Sequence, residues 1–200
     1  METNKEHVAE LLFQALETEK RGVLVYETAL RCVVNDDLKE EWEKYLEQTQ
    51  RHVQIVHGLV EQFGLDPDTE TPGRLVVRHI GQSLVLHAME MALDSGEKES
   101  AELVAAECVV EAETKDHLNW QLISQVAKSL KGPDGKAFKE ACEEVEDQEE
   151  EHLYHSTGWC RELWFQSLGL PAVLPPPEEE NDVKTAIGAA RAKKARKTML

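Results

Sequence analysis

The sequence predicts an all-α fold, and three observations carry that reading. Apolar residues recur at steps of three and four through long stretches, the composition favours Glu, Leu, Ala, Val and Lys with only 6% aromatics, and proline gathers outside the periodic stretches. Two hundred residues with 41% hydrophobic content suit one folded unit with a sizeable core. The expected division is a helical bundle over residues 1–168 and a flexible Pro/Glu-rich linker with a basic tail over 169–200.

The net charge of −17 is unevenly placed. Lys184, Arg191, Lys193, Lys194, Arg196 and Lys197 bring six positive charges and no acid to residues 183–200, so −17 without those six leaves residues 1–182 at −23. Such a body repels nucleic acid and anionic membranes and attracts cations. Nucleic acid binding is therefore expected only through the basic tail. Cys32, Cys108, Cys142 and Cys160 lack Cys-x-x-Cys spacing and read as reduced core residues of a cytoplasmic protein. No apolar run approaches the length of a membrane span.

A first helix is expected over about Lys5 to Val33, with Val8, Leu12, Ala15, Glu19, Val23, Tyr26 and Leu30 on one stripe. Glu19 interrupts that seam, and the positions three and four away (Ala15, Leu16, Gly22, Val23) offer it no cation. Burying an unpaired carboxylate is costly, so Glu19 calls for a metal, a proton or a wet gap. Asn35-Asp36-Asp37 turns the chain into a second helix to about Phe63, which gives an antiparallel hairpin. Its inner stripe is Tyr45, Thr49, His52, Val56, Leu59 and Phe63, and it brings His52 level with Glu19.

A crossover helix is expected over about Leu75 to Leu93, with Val76, Ile80, Leu84, His87, Ala88 and Met91 in helical order. A long helix from about Lys98 to Leu130 then carries Val104, Cys108, Glu111, Lys115, Leu118, Leu122 and Val126, and Glu111 is its favoured ligand, ahead of Glu107 and His117. Gly132-Pro133-Asp134-Gly135 reads as a tight reversal into a last helix over Cys142 to Leu163. On that helix Cys142, Val145, Glu149, His152, Ser156, Trp159 and Leu163 share a face, which sets an acid and an imidazole where a core should be. The competing reading is a solvated face, since seven of the nine residues from Glu143 to Glu151 are acidic.

Glu19 with Tyr26, His52, Glu111, and Glu149 with His152 make residues 5 to 166 resemble the ferritin-like superfamily. The phrasing Tyr45-Leu46-Glu47-Gln48-Thr49, Phe63-Gly64-Leu65-Asp66-Pro67 and Leu103-Val104-Ala105-Ala106 resembles the small bacterial members linked to stress responses. The resemblance implies an antiparallel four-helix bundle of two hairpins with an extra crossover helix. It also implies a non-haem centre of two iron or manganese ions handling iron, O₂ or peroxide, with Tyr26 as a catalytic candidate and a homodimer as one assembly. Glu19 and Glu111 would be single carboxylates from the first and third bundle helices, His52 would come from the second, and Glu149 and His152 from the fourth. Position 49 departs from the pattern, since Thr49 stands where a glutamate is expected, and Glu47 and Glu107 are the candidate substitutes. If the site is degenerate, the bundle would instead serve as a structural or interaction module.

Overall fold

The computed structural model describes residues 4–176, and the secondary structure within them is helical. The basic tail and the side chain of Leu84 lie outside the described residues. Four long helices form the frame: α1 (Lys5–Cys32), α2 (Asp36–Gln62), α5 (Lys98–Ser129) and α6 (Gly132–Ser167). α1 packs on α2 and α5, and α6 packs on the same two, so the four stand at the corners of a square with α1 and α6 on one diagonal. Contacts between neighbours run antiparallel: Tyr26 meets Glu113 while Glu19 meets Trp120, and His52 meets Gln148 while Gln48 meets His152.

The ends of these helices follow their sequence. Asn4 accepts from the Glu6 and His7 amides and Asn35 from those of Asp37 and Leu38, each satisfying donors that a helix start leaves open. Glu102 on α5 accepts from the Val34 and Asn35 amides, which fastens the α1–α2 turn to the second hairpin. Gly64 ends α2 with φ 76°, a conformation that favours glycine. α6 begins earlier than its periodicity suggests. Only Leu130 and Lys131 separate it from α5, and Pro133 sits in its first turn, where a missing N–H costs nothing. Gly135 is required there, since a Cβ would lie 2.6 Å from the Leu130 carbonyl oxygen.

The crossover is not one regular helix. It consists of α3 (Pro72–Ile80), a π-helical turn (Gly81–Leu86) and α4 (His87–Asp94). Its buried face is Arg74, Val77, Val85 and Met89, one position away from the expected stripe, so Val76, Ile80 and Met91 are exposed. Arg74 explains the choice. Its guanidinium and that of Arg78 reach the buried Glu17 of α1 at 3.0 and 2.8 Å, where Arg21 also bonds at 3.1 Å. Arg74 further donates to the carbonyls of Pro67 and Thr69. A charged side chain thus fixes the inward face of α3.

The core is split in two. One apolar cluster gathers Tyr26, Leu38, Trp42, Tyr45, Met89, Val109, Trp159 and Leu163. The other gathers Leu12, Leu16, Val56, Val60, Trp120, Ile123, Phe138 and Val145. Between them lies a layer of buried polar side chains.

Residues 170–176, expected as part of a flexible segment over 169–200, make contacts with the bundle. Val173 donates its amide to Glu162 at 2.9 Å, Leu174 packs on the first cluster, and Pro176 lies against Gly158. Residues 170–176 are therefore seated along α6.

Burial pushes the Glu17 carboxyl up, but hydrogen bonds from Arg78, Arg74 and Arg21 outweigh it and hold the pKa at about 2. Because the folded value lies below the ordinary 4.5, this stabilisation is present above pH 4.5 and is lost as pH falls toward 2. Glu17→Gln is expected to destabilise the fold at neutral pH by about 3 kcal/mol, since it leaves buried Arg74 without its carboxylate. It should also flatten the acid limb of the melting-temperature profile followed by circular dichroism. An identical acid limb in both proteins would refute the clamp.

Candidate metal centre

The polar layer is built from one turn near the middle of each long helix. α1 supplies Glu19, α2 supplies Thr49 and His52, α5 supplies Glu113 and Asp116, and α6 supplies Glu149 and His152, all of them buried. Each acid or histidine occupies a helical position that would otherwise hold a core side chain.

Two groups of ligand atoms converge in this layer, Glu19–His52–Glu149 and Glu113–Glu149–His152, the atoms within each lying no more than 4.8 Å apart. Glu149 belongs to both. His52 Nδ1 is 3.0 Å from Glu149 Oε1 and 3.8 Å from Glu19 Oε2. His152 Nδ1 is 3.5 Å from Glu113 Oε2 and 3.9 Å from Glu149 Oε1. Ligand atoms each about 2.1 Å from one shared divalent ion lie about 3 to 4.2 Å from one another. All four separations fall in that window.

The histidine tautomers are set from outside the layer. His52 Nε2 donates to Gln148 Oε1 and His152 Nε2 donates to Gln48 Oε1, both at 2.9 Å. An amide oxygen only accepts, so each ring carries its proton on Nε2 and turns a bare Nδ1 lone pair inward. Burial lowers the His52 pKa and keeps that ring neutral. Two of the acids are held in the same way. Tyr26 donates its hydroxyl to Glu113 Oε1 and Trp120 its Nε1–H to Glu19 Oε1, both at 2.7 Å.

Once these outer bonds are made, seven inward atoms have no hydrogen-bond partner: Glu19 Oε2, His52 Nδ1, Glu113 Oε2, Asp116 Oδ1, both Glu149 oxygens and His152 Nδ1. All are lone-pair carriers, and buried groups of that kind are normally satisfied. Carboxylate oxygens and imidazole nitrogens suit divalent transition metals, so the residues present fit a metal ion. In its absence protons must reduce the charge. Burial, followed by the Glu113 carboxylate, raises Glu149 to about 8 despite His152 nearby. Burial, then Asp116 and Glu149, raises Glu19 well above its ordinary value, and burial, then Glu149 and Glu113, does the same to Asp116.

The two hairpins use matching devices. Tyr26 follows Glu19 by seven residues as Trp120 follows Glu113, and each donates to the other's acid. Gln48-Thr49-x-x-His52 mirrors Gln148-Glu149-x-x-His152, and each glutamine holds the other's histidine. The symmetry breaks in one place. Gly22 and Thr49 pack together in the first hairpin, a Cβ at Gly22 falling 3.0 Å from Thr49 Cγ2, whereas the corresponding positions of the second hairpin hold Asp116 and Glu149.

Of the residues expected from sequence, Glu19, Tyr26, His52, Glu149 and His152 meet at this layer. Glu111 does not. It is exposed on α5, and Glu113, about 200° further round the helix, faces inward instead. Glu47 and Glu107 are also exposed, the latter accepting from Trp164 Nε1, so neither stands in for a glutamate at 49. Asp116 and Glu113 are the acids that sequence reasoning missed. The seven-residue spacing from Glu113 to Trp120, repeating that of Glu19 and Tyr26, is the signal that would have found Glu113.

Two clefts flank the layer. One of about 450 Å³ between α5 and α6 is lined by His117, Trp120, Cys142 and Glu149 among others. The other, about 370 Å³ and mainly apolar, is lined by Val25, Val77, Val85 and Val110, with Glu113 and Asp116. No protein-family model matches the chain, and no curated protein or solved structure does either.

A divalent ion entering this layer has to displace protons. Because the Glu149 pKa is about 8, the group is mainly protonated at pH 7 in metal-free protein. Titrating Mn(II) into chelator-treated protein in dilute buffer at pH 7 is expected to release about one proton from Glu149. Glu149→Gln should reduce that release, and binding with no acidification in the wild type would contradict the protonated layer.

Proposed function

We propose that this chain is a ferritin-like metal protein whose buried layer holds two iron or manganese ions and handles iron, O₂ or peroxide, as in stress responses. The observation that carries this reading is the convergence of seven unpartnered inward donor atoms from four helices. The square arrangement of two antiparallel hairpins and the intervening crossover support the superfamily reading.

Glu19 and His52, with Asp116 in the same layer, would serve one ion and Glu113 and His152 the other, and Glu149 belongs to both groups. Glu19, Glu113, Asp116 and Glu149 bring four negative charges against the four positive charges of two divalent ions. Asp116, on another helix, would supply the carboxylate lacking at Thr49, which weighs against a degenerate site. When bound, such a pair supplies one- and two-electron redox chemistry. The chain's own residues do the rest. Gln48 and Gln148 hold the imidazoles in the ligating tautomer, Tyr26 and Trp120 orient the two single carboxylates, and the apolar clusters above and below exclude water. The acidic body favours metal cations over nucleic acid as partners. Among the described residues no helix is long and apolar enough to cross a membrane.

Metal analysis of full-length protein purified without chelator and reconstituted with Fe(II) or Mn(II) is expected to find about two ions per chain. Asp116→Asn should lower this to about one, and adding Thr49→Glu should restore the second ion by returning a carboxylate to the layer. Glu149→Ala should release both. Retention of neither metal, or retention indifferent to Glu149→Ala, would end the metal reading.

A further inference from the structure

A second line of contacts leads from the layer to the surface through Tyr45. Its ring lies against His152, centroids 4.2 Å apart and planes tilted by 39°, whereas Tyr26 keeps 6.2 Å from the same imidazole. Tyr45 is fully buried, yet its hydroxyl does not bond to the layer. It turns the other way and donates to Glu41 Oε1 at 2.6 Å. The same carboxylate accepts from Trp159 Nε1 at 2.8 Å and contacts His155 Nδ1 at 2.9 Å. Glu41 and His155 are only partly buried, their side chains 19% and 26% exposed.

One residue therefore has its π face on a candidate ligand and its acidic hydrogen on a base that reaches solvent. Removing an electron from a buried phenol leaves a strongly acidic cation, which persists only if its proton departs at the same time. Tyr45 has the acceptor in place. The hydroxyl of Tyr26 is engaged by Glu113, which itself faces the layer, so a proton released there would stay inside.

We propose that Tyr45 is a redox-active tyrosine of this protein. It gives one electron, across the His152 ring, to the metal pair once peroxide has oxidised that pair. In the same step its O–H bond breaks and the proton goes to Glu41 Oε1. The products are a neutral tyrosyl radical, a protonated Glu41 and a metal pair reduced by one electron, so charge and atoms balance. His155 then offers the proton a way to solvent. The inference rests on the two-metal reading and assigns that site its electron donor.

The test is electron paramagnetic resonance on full-length protein loaded anaerobically with Fe(II), mixed with hydrogen peroxide and frozen, with optical absorption reporting ferric iron. A tyrosyl signal is expected, its hyperfine pattern changed by ring-deuterated tyrosine, absent in Tyr45→Phe and unaltered in Tyr154→Phe. Glu41→Gln, which keeps the shape and removes the base, should slow radical formation by on the order of a hundredfold, the lower end of what a positioned proton acceptor contributes. Circular dichroism checks that both variants fold. Ferric iron forming with no organic radical, or a signal that survives Tyr45→Phe, overturns the proposal and leaves the two-metal reading standing. Failure to bind iron at all overturns both.

Discussion

Concentrated negative charge in the middle of an apolar bundle is the constraint to which everything else answers. Glu19, Glu113, Asp116 and Glu149 are buried in one layer, with hydrophobic clusters closing it above and below. Burial takes them out of bulk water, so protons or cations must offset their charge. The helices have little freedom to turn these groups away, because Glu113, Glu19, His152 and His52 are gripped from outside the layer by Tyr26, Trp120, Gln48 and Gln148. These four bonds fix which atoms look inward, and the inward atoms determine the available chemistry.

The crossover adds a second electrostatic anchor on the opposite side of α1. Glu17 and Glu19 are near neighbours in sequence, but the helix turns them about 200° apart. Glu17 meets three arginines and stays ionised, while Glu19 faces other acids. The Glu17 contact sets the buried face of α3, and the π-helical turn that follows lets Val85 and Met89 face the core. The mainly apolar cleft beneath this segment is bounded by the same α5 turn that carries Glu113 and Asp116.

Much of this was readable in the amino-acid sequence, for a physical reason. On α1, α2 and α6 the inward stripe is otherwise apolar, so Glu19, His52, Glu149 and His152 stand out as interruptions. α5 defeats that test. Val110, Leu118 and Leu122 put apolar residues on its outer side, with Leu118 and Leu122 48% and 44% exposed, and that blurs the stripe. The chosen face was displaced and selected Glu111 in place of Glu113. On α3 the exposed Val76 and Ile80 blur the stripe in the same way, and Arg74, paired with Glu17, takes a buried position. The first residues after α6 also defied their composition, because Glu162 captures the Val173 amide and holds a proline-bordered segment in place.

The correspondence between the two hairpins has a consequence for how many carboxylates the layer can hold. If two identical hairpins had faced each other, every substitution would have entered the layer twice. Losing an acid at the position of Thr49 would have stripped two ligands at once, and gaining one at the position of Asp116 would have crowded in two. With both hairpins in one polypeptide the two halves can differ, so a carboxylate can sit in one half without its counterpart in the other. The Gly22–Thr49 and Asp116–Glu149 pairs show the outcome: the first hairpin lacks the carboxylate at 49, and the second carries one more at 116.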